Sequence, residues 1–392
     1  MDKQDILIIG AGIFGVTAAL ELRRRQYRVT VIERGPLPHP LASSTDISKV
    51  VRMEYGADVQ YMAMVEAALT GWRQWNEELG ETLFHETGVL MLAQAPMAPG
   101  GYEYESYQLL RQRGHQPERL QGDEISRRFP AWQPGVYQDG FYHAQGGFVE
   151  SGRLLEKMIA EAGAQGVRFY AHQPVSGLTG SPQRVTGVRL ANGDSYQADH
   201  LIVAAGTWTP LLLPELAPQM RTIGQPVFHL QPAVPDLFTP PHFPVFTAAV
   251  AQTGWYGFPL HPRQGVIKIA NHGVGRTVSR ETDAPPVTAA DEESARRFLQ
   301  QTFPALAAAP IVYSRCCLYN DTLDGHLWLD RHPEREGLTV ASGGSGHGLK
   351  FGPVLGPLIA DLVEGQPNEW LARFRWRTLQ PDTLSEEAAR HK

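Results

Sequence analysis

A chain of 392 residues is long enough for roughly two or three domains. With 42% hydrophobic and 19% charged residues it has the make-up of an ordinary soluble globular protein with ample core. A formal net charge of −6, no basic run beyond Arg23–Arg25 and no apolar stretch of membrane-spanning length argue against nucleic-acid and membrane partners.

The first element predicted in chain order is a buried parallel strand at Ile6 to Ile9 running straight into Gly10, Gly12 and Gly15. Gly10 permits a tight turn, Gly12 lets backbone approach a pyrophosphate, and Gly15 lets the following helix lie close to the strand. Ile13 and Phe14 open that helix, whose free N–H groups and dipole suit a diphosphate. Arg23, Arg24 and Arg25 close it, where cations suit the dipole. A second strand ends at Glu33, beside Arg34, where an acid accepts hydrogen bonds from an adenosine ribose. This is a dinucleotide site. The motif alone leaves FAD and NAD open, and Glu33 argues only against the 2′-phosphate of NADP.

Residues 58 to 80 read as a helix, 88 to 93 as a strand, 103 to 113 as a polar helix, and 151 to about 164 as a further helix. Arg184 to Leu190 and Asp194 to Tyr196, around Asn192 and Gly193, form a predicted hairpin. The strand from His200 to Gly206 returns to the nucleotide-binding sheet, where small residues let backbone pass close to a cofactor. From Trp208 to Pro244 the chain is crowded with proline, a composition of linkers and edge strands that marks a domain crossing. Residues 245 to 320 read as short strands with one helix near Asp291 to Gln301. The segment Gly337 to Gly365 reads as a strand, a second glycine-rich turn and a helix with Pro353 near its start.

These segments predict an α/β protein in which a discontinuous Rossmann-type domain (1–85, 145–215 and 320–392) interleaves with a mostly antiparallel β-sheet substrate domain (86–144 and 216–319). The two cysteines, Cys316 and Cys317, are adjacent, which rules out an unstrained disulfide between them. No metal-ligand spacing occurs among the fourteen histidines. With no signal-peptide pattern, and with Arg390, His391 and Lys392 not a peroxisomal tripeptide, the expectation is a cytoplasmic protein, and a monomer rather than an oligomer.

A wider set of motifs occurs in one order: Gly10 to Gly15, Lys49 to Gly56, Trp255 to Pro259, Val266 to His272, Cys317 to Tyr319, Thr322 to Asp324, Asp330 to Glu334 and Gly344 to Phe351. Together they resemble the monomeric sarcosine oxidase group of D-amino-acid-oxidase-like flavoproteins, which includes N-methyltryptophan, pipecolate and fructosyl-amino-acid oxidases. The resemblance implies FAD, a small amine or amino-acid substrate and O2. The reaction implied is oxidation of a secondary amine, an N-substituted or cyclic α-amino acid, to an imine with release of H2O2. The alternatives are a fructosyl-amino-acid (Amadori) oxidase, or a flavin dehydrogenase that passes electrons to a carrier.

The same resemblance implies that Cys317 binds the 8α carbon of FAD as a thioether, with Arg315 helping to lower its pKa. Lys268 is implied to activate oxygen at the flavin edge, although strand alternation alone places it on a solvent face. Arg52 and Lys350 become a clamp for a substrate carboxylate. His272 is a candidate hydrogen-bonding partner of the substrate, and Tyr256 and Tyr319 are candidate pocket walls. Further cofactor contacts are implied at Ser43, Ser44, Ser48, Lys49, Val175, Ala205, Gly206, Trp208, Gly346, His347, Gly348, Leu349 and Lys350. Three positions depart from the bacterial sarcosine enzymes: Lys49 stands for an arginine, as in fructosyl-amino-acid oxidases, a methionine position falls near Thr247, and a histidine is replaced around Thr45.

Overall fold

The strand Asp5–Ile9, buried from Ile6 to Ile9, lies inside a six-stranded sheet because parallel neighbours flank it on both sides. That position explains its unbroken apolar run. The computed structural model describes residues 4–279 and 284–380; Arg390, His391 and Lys392 lie outside the described residues. The sheet order is Trp328–Arg331, Leu338–Ser342, His200–Val203, Asp5–Ile9, Arg28–Ile32, Arg168–Tyr170, parallel throughout except for the first strand. Helices Ile13–Arg24, Val59–Glu78 and Gly352–Glu364 share one apolar core with it. Gly356 is what allows the first and last of these to touch, since a Cβ there would lie 2.6 Å from the Thr17 carbonyl oxygen.

A nine-stranded, mostly antiparallel sheet forms the second layer, its core filled by Trp132, Phe243, Phe246 and Phe303. The architecture is therefore the α/β arrangement expected. Element limits follow their local signals: the helices Val59–Glu78 and Ser151–Ala164 form as read, the former capped by Asp58, whose carboxylate accepts from the Tyr61 N–H at 3.0 Å. The Asn192-Gly193 hairpin forms, with an additional strand, Val175–Ser181, beside it.

Two expectations are corrected. The proline-rich stretch is not all linker and edge, because Met220–Leu230 is an eleven-residue strand paired along both sides. Pro226 is tolerated there because it falls between the partners on one side, Arg276–Thr277 ending at Gly224 and Ile267–Asn271 starting at Val227. A residue without an N–H removes no bond at such a gap. Its other neighbour, Ile311–Thr322, has twelve residues rather than being one of several short strands. That length carries it into the nucleotide-binding layer, where Asn320 Nδ2 donates to Ser342 Oγ at 2.8 Å.

Candidate functional site

The glycine turn opens a cavity of about 330 Å³ between the two layers, within the usual range of roughly 300–1,000 Å³ for ligand sites. Each glycine has its own reason. Gly10 has φ +103°, and a Cβ there would lie 2.5 Å from the Ala204 oxygen; one at Gly15 would lie 1.9 Å from the Gly10 oxygen. Gly12 is different. Its Cβ would meet only Ser44 Oγ, at 3.5 Å, so protein packing does not require glycine there. Its bareness faces the cavity, where it lets a ligand reach the backbone. Glu33 accepts from the Ala11 N–H at 2.9 Å and Ser44 Oγ from the Ile13 N–H at 3.1 Å, which fixes the loop around that opening.

Of the residues expected to hold the cofactor, Gly10, Gly12, Ile13, Phe14, Glu33, Arg34, Ser43, Ser44, Lys49, Val175, Ala205, Gly206, Trp208, Gly346, Gly348 and Leu349 line this cavity, as does Tyr319. The N-terminus of the helix Ile13–Arg24 and the room beside Gly12 fit the diphosphate of a dinucleotide such as FAD. Arg34 stacks on Trp208, its guanidinium carbon 4.6 Å from the ring centroid. His347 turns its ring into the protein, toward the Tyr55 hydroxyl and the Gly325 carbonyl, both at 2.9 Å. His39, Gln173, Pro174 and Leu211 line the cavity too, and sequence reasoning missed them because they stand in irregular segments or, for Leu211, in the four-residue helix Thr209–Leu212, without a motif.

Arg52 and Lys350 come together over one ring. The Arg52 guanidinium carbon is 5.3 Å and Lys350 Nζ 4.7 Å from the Tyr55 centroid, and both residues are buried. Arg52 Nη1 donates to the Tyr102 hydroxyl at 2.9 Å, which itself donates to the Glu54 carbonyl. The Tyr256 and Tyr319 hydroxyls are 3.4 Å apart, and the His272 ring centroid lies 5.7 Å from that of Tyr319. Gly346 makes room for this pair: a Cβ would lie 2.4 Å from Tyr319 and 2.9 Å from His272. Thr247 is buried, donating to the Met91 sulfur.

Cys317 is buried between two cations, with Lys49 Nζ and Arg315 Nη2 each 3.5 Å from its sulfur. Burial alone raises the thiol pKa, but Lys49 and Arg315 outweigh it and hold it below its ordinary value. Cys316, also buried, is raised by burial. Lys268 is only 1% exposed, which corrects its solvent-face expectation: the strand Ile267–Asn271 is inside the sheet and buried along Ile267 to Ala270. Alternation fails where both faces are covered. Lys268 Nζ donates to Asp46 Oδ2 at 2.6 Å and to the Ser48 carbonyl at 2.5 Å. Burial pushes its pKa down to about 8, against the pull of Asp46. Sequence reasoning passed over Asp46, and no local pattern marks it.

Among the described residues no helix is long and apolar enough to cross a membrane. The FAD dependent oxidoreductase family model matches residues 5–362. The chain is 30% identical to the peroxisomal sarcosine oxidase of Mus musculus over 384 residues, covering 95% of this chain and 96% of the relative. It is 27% identical to the monomeric sarcosine oxidase of Bacillus sp. (strain B-0618), with 92% of each covered. The solved structure of fructosyl amine:oxygen oxidoreductase (Amadoriase I) from Aspergillus fumigatus superposes with a TM-score of 0.83 at 26% identity, covering 98% of this chain and 91% of that one. The chain belongs to the FAD dependent oxidoreductase family, in the group of sarcosine, N-methylamino-acid and fructosyl-amino-acid oxidases.

Proposed function

We propose that this flavoenzyme oxidises the C–N bond of an N-substituted α-amino acid and passes the electrons to O2, giving H2O2. Among such substrates, fructosyl-amino-acid (Amadori) compounds are better supported than sarcosine. Lys49 replaces the arginine of bacterial sarcosine oxidases and Thr247 falls near their methionine, while the likeness to Amadoriase I runs through 98% of the chain. The observation that carries the reading is the pair Arg52 and Lys350 over Tyr55, a planar fork beside a point charge, suited to a carboxylate.

FAD would be held by the Gly10–Gly15 turn, Glu33, Ser44 and the Gly346–Gly348 backbone, and when bound it takes a hydride equivalent from the amine and returns both electrons to oxygen. Arg52 and Lys350 orient the substrate carboxylate, and His272 hydrogen-bonds the substrate. Tyr256 and Tyr319 wall the pocket and exclude water. Lys268 supplies a fixed cation in a poorly solvated place, where negative charge on oxygen is stabilised. Cys317, flanked by Lys49 and Arg315, is the attachment point for the flavin. The division into a discontinuous cofactor domain (1–85, 145–215, 320–392) and a substrate domain (86–144, 216–319) belongs to the same proposal.

A peroxide-coupled screen of the purified holoenzyme tests the function. Fructosyl amino acids are expected to turn over faster than sarcosine, N-methyl amino acids, pipecolate and proline. Activity confined to primary D-amino acids would overturn the substrate class, and turnover with a dye but not with O2 would make the protein a dehydrogenase.

A further inference from the structure

Lys268 sits at one end of a row of side chains that reaches the surface. In the antiparallel pairing Lys268 is the register partner of His229, and His229 is the register partner of Tyr313 on its other side. Register partners project from the same face of a sheet, so the three side chains form one cross-strand line. The His229 and Tyr313 rings lie 4.8 Å apart between centroids, and Tyr313 is 48% exposed. Asp46 closes the gap at the inner end. Its Oδ2 accepts from Lys268 at 2.6 Å, its Oδ1 accepts from the Ile47 N–H at 2.8 Å, and His229 Nε2 stands 3.4 Å from that Oδ1.

A buried ion pair contributes little to stability compared with apolar residues of the same volume, so its presence here asks for another reason. An ammonium at this depth loses its proton unless an anion faces it. Around Lys268 and Asp46 stand Lys49, Arg315, Cys317 and His229, with Tyr256 against Lys49 and with His261 and Glu150 behind His229. Lys49 presses Lys268 toward the neutral form, and Asp46 opposes it.

We propose that Asp46 is a positioning residue that keeps Lys268 charged and aimed, and that His229, beside Asp46 and packed under the half-exposed Tyr313 ring, returns protons from solvent to the pair for oxygen reduction. This rests on the reading of Lys268 as the oxygen-side cation. Forming H2O2 from O2 takes two electrons and two protons. The hydride equivalent from the amine C–H brings both electrons and one proton. The second proton balances the one released from the amine nitrogen as the imine forms. Lys268 gives it to the reduced oxygen and regains one from water through His229 and Asp46. When Lys268 loses its proton, the charge that depresses Asp46 goes with it, and the carboxyl then becomes basic enough to carry the next proton inward.

Stopped-flow measurement on the holoenzyme at several pH values tests this, with anaerobic reduction by substrate and reoxidation by O2 followed separately. Asp46→Asn is expected to slow reoxidation by about 10²-fold, to shift the alkaline fall of that rate to lower pH, and to leave anaerobic reduction within a few-fold. His229→Gln is expected to slow reoxidation without moving that fall, with partial rescue by added imidazole. Thermal unfolding gives a readout independent of turnover: Asp46→Asn and Lys268→Met each lower Tm, and the double variant regains part of the loss. Equal slowing of both half-reactions by Asp46→Asn, or an unmoved pH profile, would overturn the proposal. If Lys268→Met slows reoxidation while Asp46→Asn does not, only the relay falls. If Lys268→Met has no effect on reoxidation, the oxygen-side reading falls and the relay with it.

Discussion

At the nucleotide end of the cavity, Gly10, Gly12, Gly15 and Glu33 come from one stretch of chain, where Gly15 is held against the Gly10 carbonyl, Glu33 accepts from Ala11 and Gly10 faces the Ala204 carbonyl. At the other end of the site, where Lys49 reaches the cavity, Asp46, Lys49, His229, Lys268, Arg315 and Cys317 come from four separate segments and are held together by charges and close polar contacts. The first, Gly12 apart, is a shape that the protein would need even to fold. The second is an electrostatic balance that the fold tolerates but does not require. Substitutions should therefore act on folding and cofactor retention at one end, and on rates and pH dependence at the other.

The largest expected effect is Gly15→Ala. Its Cβ would collide with the Gly10 carbonyl, backbone against backbone, so the turn must open at a cost of ~3 kcal/mol or more. Urea denaturation is expected to show this, and an unchanged midpoint would mean that the strand and helix approach less closely than described. Gly12→Ala sharpens the contrast, because its Cβ meets only Ser44 Oγ at 3.5 Å. Its unfolding midpoint should stay near wild type, and in the Cys317→Ser background, where no thioether holds the flavin, its FAD retention on gel filtration should drop. Full retention would remove the pyrophosphate from that loop.

Next come Arg52→Ala and Lys350→Ala, each expected to lower kcat/KM for amine substrates by ~2–5 kcal/mol if a buried carboxylate loses its partner. FAD content should be unaffected in both. Wild-type rates at low substrate would show that the clamp is wrongly placed. Cys317→Ser is expected to keep the fold and release its flavin on acid precipitation, whereas wild-type precipitate stays yellow. Loss of colour from the wild type would contradict covalent attachment.

The smallest effect is one of pH. Lys268 is held at about 8, so its cation is present below that pH and lost above it, and the oxygen step should slow as pH rises through about 8. The sign for stability is opposite. Between about 8 and 10.5 the unfolded chain holds a proton that the folded one has given up, so the contribution of Lys268 to stability rises with pH across that window. A flat reoxidation rate from pH 6 to 10 would disconnect Lys268 from the oxygen reaction.

The same contrast explains what was legible in the sequence. The glycine turn, the Asp58-capped helix and the Asn192-Gly193 hairpin announce themselves because their causes lie within a few residues. Cys317 and Lys268 were found only through the joint order of motifs, since no local period distinguishes a buried lysine on an interior strand from an exposed one on an edge. Asp46 and His229 were missed altogether. Their meaning lies in contacts between residues 46 and 268 and between 46 and 229, and the proline-rich composition around His229 hid the strand that sets its register.

The most direct test of the central claim is reoxidation of the Lys268→Met holoenzyme by O2 after anaerobic reduction with substrate. Removal of one preorganised electrostatic group typically costs ~10²–10³ in rate. A loss of that size is expected in reoxidation and a much smaller one in reduction by the amine, because negative charge develops on oxygen only in the former. Equal losses in both half-reactions, or an unchanged reoxidation rate, would contradict it.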